Sequence, residues 1–308
     1  MNELPELEQE RDTLNRIELV QRLAALMPKD GILDVRPDLR LARAGVPTAR
    51  VYGVSKPSLC VIAQGAKEVN IGDSIYRYDP EHFLLATVEL PLTGRVLEAS
   101  ARFPYLSIRI ELEPSLVGSV MIEAGMPAPS NSQSDTKAVL VSHLGSSLLD
   151  TVLRLVRLID SKENRVLFPL VKRELVYRLL AGEQGARLRN LPMLGGHCDR
   201  IAKAIERLNK HFDRPMSVEG LAKELGMSAS GFHQHFRTVT DMSPLQFQKQ
   251  LRLQEARRLM LGENLDASSA GHRVGYDDPS HFSRDYKRHF GDSPLRDVER
   301  LRTMVSTD

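Results

Sequence analysis

Apolar residues change their spacing along the chain, and each change predicts a different kind of element. Between Leu7 and Met27, Leu14, Ile17, Leu23 and Leu26 recur near helical steps and Pro28 with Gly31 ends the run, which predicts a helix ahead of the first domain. From Asp34 to about Leu112, short β-prone runs take over at 49–52, 59–63, 68–71, 74–78, 82–86, 94–98 and 105–110. They are punctuated by Gly65, Gly72-Asp73, Asp79-Pro80 and Thr93-Gly94. Many short strands at regular spacing predict a small barrel or sandwich, and a closed barrel of this size holds one small ligand. Residues 126–135 read as a surface loop by composition. Beyond them Leu148, Leu149, Val152, Leu153, Val156 and Ile159, then Leu167 to Leu180, predict two amphipathic helices. These either complete the domain core or pack on a second copy of the chain. Residues 182–196 read as a Gly-containing linker with Arg187 and Arg189. A helix then follows with Ile201, Ile205 and Leu208 on one face.

The stretch from Ser217 to Arg302 contains a pattern used twice. Ser230 matches Ser280, Phe232 matches Phe282, Phe236 matches Tyr286, and Ser243-Pro244 matches Ser293-Pro294, each pair 50 residues apart. The turn glycines Gly226 and Gly275 are 49 apart, so the second copy has one extra residue between its glycine and its second helix. Each copy reads as a helix–turn–helix, and two in one chain point to contact with two adjacent major-groove sites on DNA.

The residue types fit that geometry. Leu221, Ala222 and Leu225 give the first helix a packed face, Gly226 suits the left-handed conformation that ends it, and Ser228 caps the next helix. Phe232 and Phe236, four apart, bury one face of the second helix and leave Ala229, Ser230, His233, Gln234 and Arg237 outward. In the second copy Asp278 caps, Pro279 suits the first turn, and Phe282 with Tyr286 anchors the helix. That leaves Ser280, His281, Ser283, Arg284 and Lys287 outward. Between the copies Pro244 opens a helix through Met260, with Leu251, Ala256 and Leu259 inward, which holds the two heads at one spacing.

Composition limits the alternatives. A chain of 308 residues with 42% hydrophobic and 27% charged residues has material for about two globular domains. No apolar run approaches the roughly 20 residues that span a bilayer, and the acidic, polar start is unlike a signal peptide. Two cysteines, Cys60 and Cys198, make no disulfide framework and fit a reducing cytoplasm. Net charge is only +2, and from His197 onward 18 Lys/Arg face 16 Asp/Glu, so a basic DNA-facing surface must come from placement.

From His197 to Arg302 the chain resembles the AraC/XylS family of bacterial transcription regulators. The resemblance is carried by Ser243-Pro244 followed by residues 251–260, then by Val274-Gly275-Tyr276, residues 280–284, Lys287, Phe290-Gly291 and Ser293-Pro294. It implies two recognition helices in successive major grooves roughly 34 Å apart. Base contacts would then fall to Ser230, Gly231, His233 and Gln234, and to Ser280, His281 and Arg284, with Lys287 directed at phosphate. Arg237 joins the DNA-facing set. Gly231 brings no side chain to a position often used for readout, and Gly271 stands where Ala222 stands in the first copy, which predicts a looser second copy. Arg252, Arg257 and Arg258 read either as a solvated helix face or as further DNA contacts. Residues 59–67, the 72–79 strand-turn, Leu90 to Gly94, Glu98-Ala99-Ser100 and Pro104-Tyr105-Leu106 resemble the cupin-like N-terminal domain of one subgroup. This implies an effector-binding or dimerising part.

The fold expected is α+β. It consists of a cupin-like β-barrel with flanking helices at 1–181, a linker at 182–196, and an all-α domain with two helix–turn–helix motifs at 197–308. Cys60 reads as a buried inert thiol or as a redox or electrophile sensor and effector-site candidate. His82 alone in the barrel region cannot form the histidine cluster of a metal-binding cupin. Ser142 and His143, being adjacent, lie on different helix faces and form no dyad. No phosphate loop, dinucleotide fingerprint or nucleophile elbow occurs, so no catalytic residue, metal or cofactor is expected. Expected partners are double-stranded DNA, a small effector, RNA polymerase if the protein activates, and a second copy of the chain, with no membrane. The other class considered is a cupin-type enzyme or ligand-binding protein with an accessory helical domain.

Overall fold

The computed structural model describes residues 3–127, 137–189 and 197–305; the loop expected at 126–135 falls largely outside these, as do residues 190–196 of the linker expected at 182–196. The chain divides into two compact units, one of residues 1–51, 55–88 and 92–199, the other of residues 200–308 with 52–54 and 89–91.

The first unit is mixed α/β. Helix α1 (Glu3–Leu26) precedes nine strands: β1 (Gly31–Arg36), β2 (Leu39–Ala44), β3 (Val51–Ser55), β4 (Ser58–Gln64), β5 (Ala66–Ile71), β6 (Ser74–Tyr78), β7 (His82–Ala86), β8 (Leu90–Glu98) and β9 (Tyr105–Glu111). Then come α2 (Pro114–Glu123), β10 (Val139–His143), α3 (Ser146–Arg157), α4 (Asn164–Ala181) and the short α5 (Gly185–Leu188). The strands form a six-stranded sheet, β1-β2-β9-β4-β7-β10, and a four-stranded sheet, β3-β8-β5-β6. Between β4 and β5 the chain leaves one sheet for the other. Gly65 makes that step at φ +85°, where a Cβ would stand 2.3 Å from the Glu98 carbonyl oxygen.

Helices cover one face of the six-stranded sheet. Leu59 and Val61 of β4 and Leu106, Ile108 and Ile110 of β9 share one core with Leu19 and Leu23 of α1, Val152 and Leu153 of α3, and Leu175 and Val176 of α4. The two amphipathic helices expected after residue 148 therefore complete the core of their own unit. The buried face of α1 differs from the one expected. Asn15, Leu19, Leu23 and Met27, at steps of four, point inward, while Leu14 and Ile17 are exposed. Arg157 of α3 fastens this helix by donating to both carboxylate oxygens of Glu18, at 2.9 and 2.5 Å. Ser142 and His143 lie on a strand rather than a helix; alternation still turns them to opposite faces.

The second unit is helical: α6 (His197–Lys210), α7 (Val218–Glu224), α8 (Ala229–Thr240), α9 (Pro244–Gly262), α10 (Ala267–Arg273), α11 (Pro279–Phe290) and α12 (Pro294–Val305). Among the described residues no helix is long and apolar enough to cross a membrane.

Candidate nucleic-acid interface

Two helix pairs, α7–α8 and α10–α11, flank α9. Ser217 caps α7 by accepting from the Gly220 amide at 3.0 Å, and Ser228 caps α8 by accepting from the Gly231 amide at 3.2 Å. Gly226 sits between them at φ +63°. In the second pair Asp266 caps α10 through the Ser269 amide, and Asp278 caps α11 through the amides of Ser280 and His281 at 2.9 and 3.2 Å. These donors hold the Asp278 carboxyl below its ordinary value. The anchor residues are buried as their spacing predicts: Phe232, Phe236, Phe282 and Tyr286 are all fully enclosed. Phe236 meets Phe247 of α9 edge-on at 5.4 Å, and Tyr286 donates to the buried Asp297 carboxylate at 2.8 Å, which Arg257 also engages.

With the anchors fixed, the other faces of α8 and α11 turn outward. Ser230, His233, Gln234 and Arg237 are exposed on α8 and Gly231 is half-buried; Ser280, His281, Arg284 and Lys287 are exposed on α11. Two of these touch their own helix. His281 Nε2 lies 3.5 Å from an Asp285 carboxylate oxygen, and Arg284 Nε donates to the Ser280 carbonyl at 3.4 Å.

The looseness expected at Gly271 is absent. A Cβ there would stand 3.0 Å from the Phe282 ring, so the missing side chain admits that ring between α10 and α11. Of the three arginines of α9, Arg252 and Arg257 differ from both readings of them, while Arg258 is exposed, as a solvated helix face requires. Arg252 donates to the carbonyl oxygens of Phe212, Gly275 and Arg214 at 2.6, 2.8 and 2.9 Å. Arg257 pairs with Asp297, and Arg258 pairs with Glu255 and Glu263. Gln248, one turn before Arg252, adds bonds to the carbonyls of Phe212 and Arg214 at 3.0 and 2.7 Å. The missed signal was two long donors four residues apart on a helix that is otherwise apolar on its inner side.

Cys60 keeps partial exposure between the sheets. Burial pushes its thiol above the ordinary value, against the opposing pull of Lys67 and Arg109. Among the described residues no group of three His, Cys, Asp or Glu is placed to hold a metal ion.

Comparison with known proteins follows the same division. The sequence profile of the AraC-type transcriptional regulator N-terminus matches residues 36–187, and that of a helix-turn-helix domain matches residues 221–300. The chain belongs to the AraC/XylS family. Among its curated relatives, the HTH-type transcriptional activator RhaS of Salmonella arizonae is 27% identical over 166 residues, 53% of this chain and 58% of the relative. The chain thus spans little more than half the length of these curated relatives. In fold, this AraC/XylS member is similar to ToxT of Vibrio cholerae. One ToxT structure superposes with a TM-score of 0.53 at 11% identity, covering 85% of this chain and 98% of ToxT. Another, ToxT bound to an unsaturated fatty acid, gives 0.52 at 10% identity over 88% of this chain and 97% of that one.

Proposed function

We propose that this chain is a sequence-specific DNA-binding transcriptional regulator whose affinity for DNA is set by a small effector held in its N-terminal unit. The observation that carries the reading is the pair of helices α8 and α11. Each has two fully buried aromatic anchors four residues apart, and each turns a row of polar side chains outward. In this reading they are the recognition helices of two helix–turn–helix units. Ser230, Gly231, His233, Gln234, Ser280, His281 and Arg284 meet base edges, and Arg237 and Lys287 lie at the backbone. The two sheets close as a cupin-like barrel, with the sensor at 1–181, the linker at 182–196 and the DNA-binding domain at 197–308. The protein works in the cytoplasm without catalytic turnover, as a homodimer, and meets RNA polymerase where it activates. Support for an effector comes from the N-terminal family match and from ToxT, a protein of similar fold that has been seen with a fatty acid bound.

The test is a selection of duplexes from a random pool by the full chain at fixed salt. Two enriched clusters of base pairs about one helical turn apart are expected. Retention without sequence preference would remove the reading.

A further inference from the structure

The space between the two sheets holds charges that DNA recognition does not use. Leu59, Val61 and Ala63 of β4 and Leu106, Ile108 and Ile110 of β9 belong to the helix-backed core. Alternation therefore turns Cys60, Ile62, Tyr105, Ser107 and Arg109 to the other face of the same sheet. On β5, Glu68 accepts from Arg77 and Arg95, whose side chains reach solvent, so that face of the four-stranded sheet is the outer one. Lys67, in register with Tyr78 of β6 and Val96 of β8, is on the inner face. Tyr78 and Cys60 lie close enough to influence one another electrostatically, which brings the inner faces of the two sheets together at this point.

Positive charge is in excess around Cys60. Its register partner is Arg109. Arg109 shares the Glu111 carboxylate with Lys56, and its Nε is buried without a hydrogen-bond partner. Lys67 has no hydrogen-bonding or ion-pair partner among the described residues. Its side chain runs over Gly94, where a Cβ would stand 3.0 Å from its Cε. Cys60, Lys67, Ser107 and Arg109 all keep partial exposure despite this interior position. Ile62, Leu84 and Val96 supply buried apolar surface on the same inner faces. An unpaired ammonium and a half-neutralised guanidinium beside apolar walls favour an anion with a hydrophobic body.

We propose that the space between the two sheets at Cys60 binds a small organic carboxylate, its head group on Lys67 and Arg109 and its apolar body against Ile62, Leu84 and Val96. The assignment rests on the reading of the N-terminal unit as the effector-binding part and names the ligand class.

Cys60 is a built-in reporter. Its thiolate displaces iodide from iodoacetate, an anion, or from iodoacetamide, its neutral counterpart, and the ratio of the two rates cancels the effect of thiol ionisation. In the full chain, read by mass spectrometry of the Cys60 peptide, that ratio is expected about tenfold above that of free cysteine, the lower end of what a charged cleft does to an opposite ion. Lys67→Met and Arg109→Met each lose most of the gain, whereas Lys67→Arg keeps it. Octanoate slows labelling of the unmutated protein and octanamide does not. The proposal is overturned by a ratio at or below that of free cysteine, by an unchanged ratio in Lys67→Met, by equal protection from octanoate and octanamide, or by no labelling with either reagent. Protection by octanoate with unaltered DNA affinity would keep the carboxylate site and remove the effector coupling from the proposed function.

Discussion

Arg252 of α9 donates to the carbonyl oxygen of Gly275 at 2.8 Å and to that of Phe212 at 2.6 Å, so one guanidinium joins the turn of the second helix pair to the loop before the first. Its acceptors among the described residues are main-chain oxygens, so it holds the path of the chain and not particular side chains. Gly275 completes the joint at φ +90°, where a Cβ would stand 1.9 Å from the Asp213 carbonyl oxygen.

Replacing Arg252 with alanine strands several part-buried carbonyls. The expected cost is about 2–4 kcal/mol, a few times the loss of one charged hydrogen bond. Lysine, which lacks the planar fork, recovers only part of it. Urea unfolding followed by circular dichroism checks this, and a midpoint unchanged in Arg252→Ala would mean the carbonyls are met by water.

Within the proposed DNA-binding role, Arg284→Ala and Gln234→Ala are expected to relax specificity at two different clusters of base pairs. Each good bidentate contact is worth about 1–3 kcal/mol of discrimination. Lys287→Ala is expected to weaken all sequences alike and to lower the salt slope by about one. Site selection with each variant at fixed salt separates these outcomes. Relaxation of the same base pairs by both substitutions would contradict docking in two grooves.

Much of this was legible in the sequence, and the omissions have physical causes. All seven strand runs expected between 49 and 110 are strands, because β-branched and aromatic residues there are bounded by clear turn residues. β1, β2 and β10 were missed: in β2 Leu39 and Leu41 alternate with Arg40 and Ala42, but arginines and alanines dilute the β signal, and β10 stands apart from the other strand runs, just ahead of helical spacing. The choice of buried face on α1 failed because a helix with apolar residues on two sides gives no single stripe, and only packing selects Leu19 and Leu23 over Leu14 and Ile17. The outward positions of α8 and α11 followed from the aromatic anchors alone. The engagement of Arg252 and Arg257 did not, since their acceptors lie about 40 residues away in sequence.

The face of α4 left outside the core gives the proposed self-association a location. Val166, Leu170 and Tyr177 are exposed along it, at steps of four and seven that keep them on one side of the helix. Leu170→Glu, at a position 57% exposed in the single chain, is expected to leave folding intact and to shift sedimentation toward monomer. A dimer of undiminished strength in this variant would place the interface elsewhere.

Glu18 supplies a pH dependence. Hydrogen bonds from Arg157 and then Arg22 lower its carboxyl from 4.5 to about 2. A depressed carboxylate contributes stability that is fully present above the unfolded value and is lost as pH falls from about 4.5 toward 2. Because the pair is largely exposed, the contribution is discounted to about 0.5 kcal/mol. Glu18→Gln is therefore expected to melt slightly below the unmutated protein at neutral pH, and the gap is expected to close in acid. A gap that is constant with pH would assign the difference to packing.

The 19-residue α9 is gripped near its start by the bonds of Gln248 and Arg252 and near its end by the burial of Leu259 and Met260. Between these grips the interval is a whole number of residues, and each residue carries about 1.5 Å of advance and about 100° of rotation. The phase of α11 against α8 therefore changes only in steps. One residue more or fewer turns the outer row of the second pair about a quarter circle out of line with the first. Side chains on α8 and α11 are free to drift and alter which bases are favoured, but the interval between the two sets of bases is counted out by the length of a single helix.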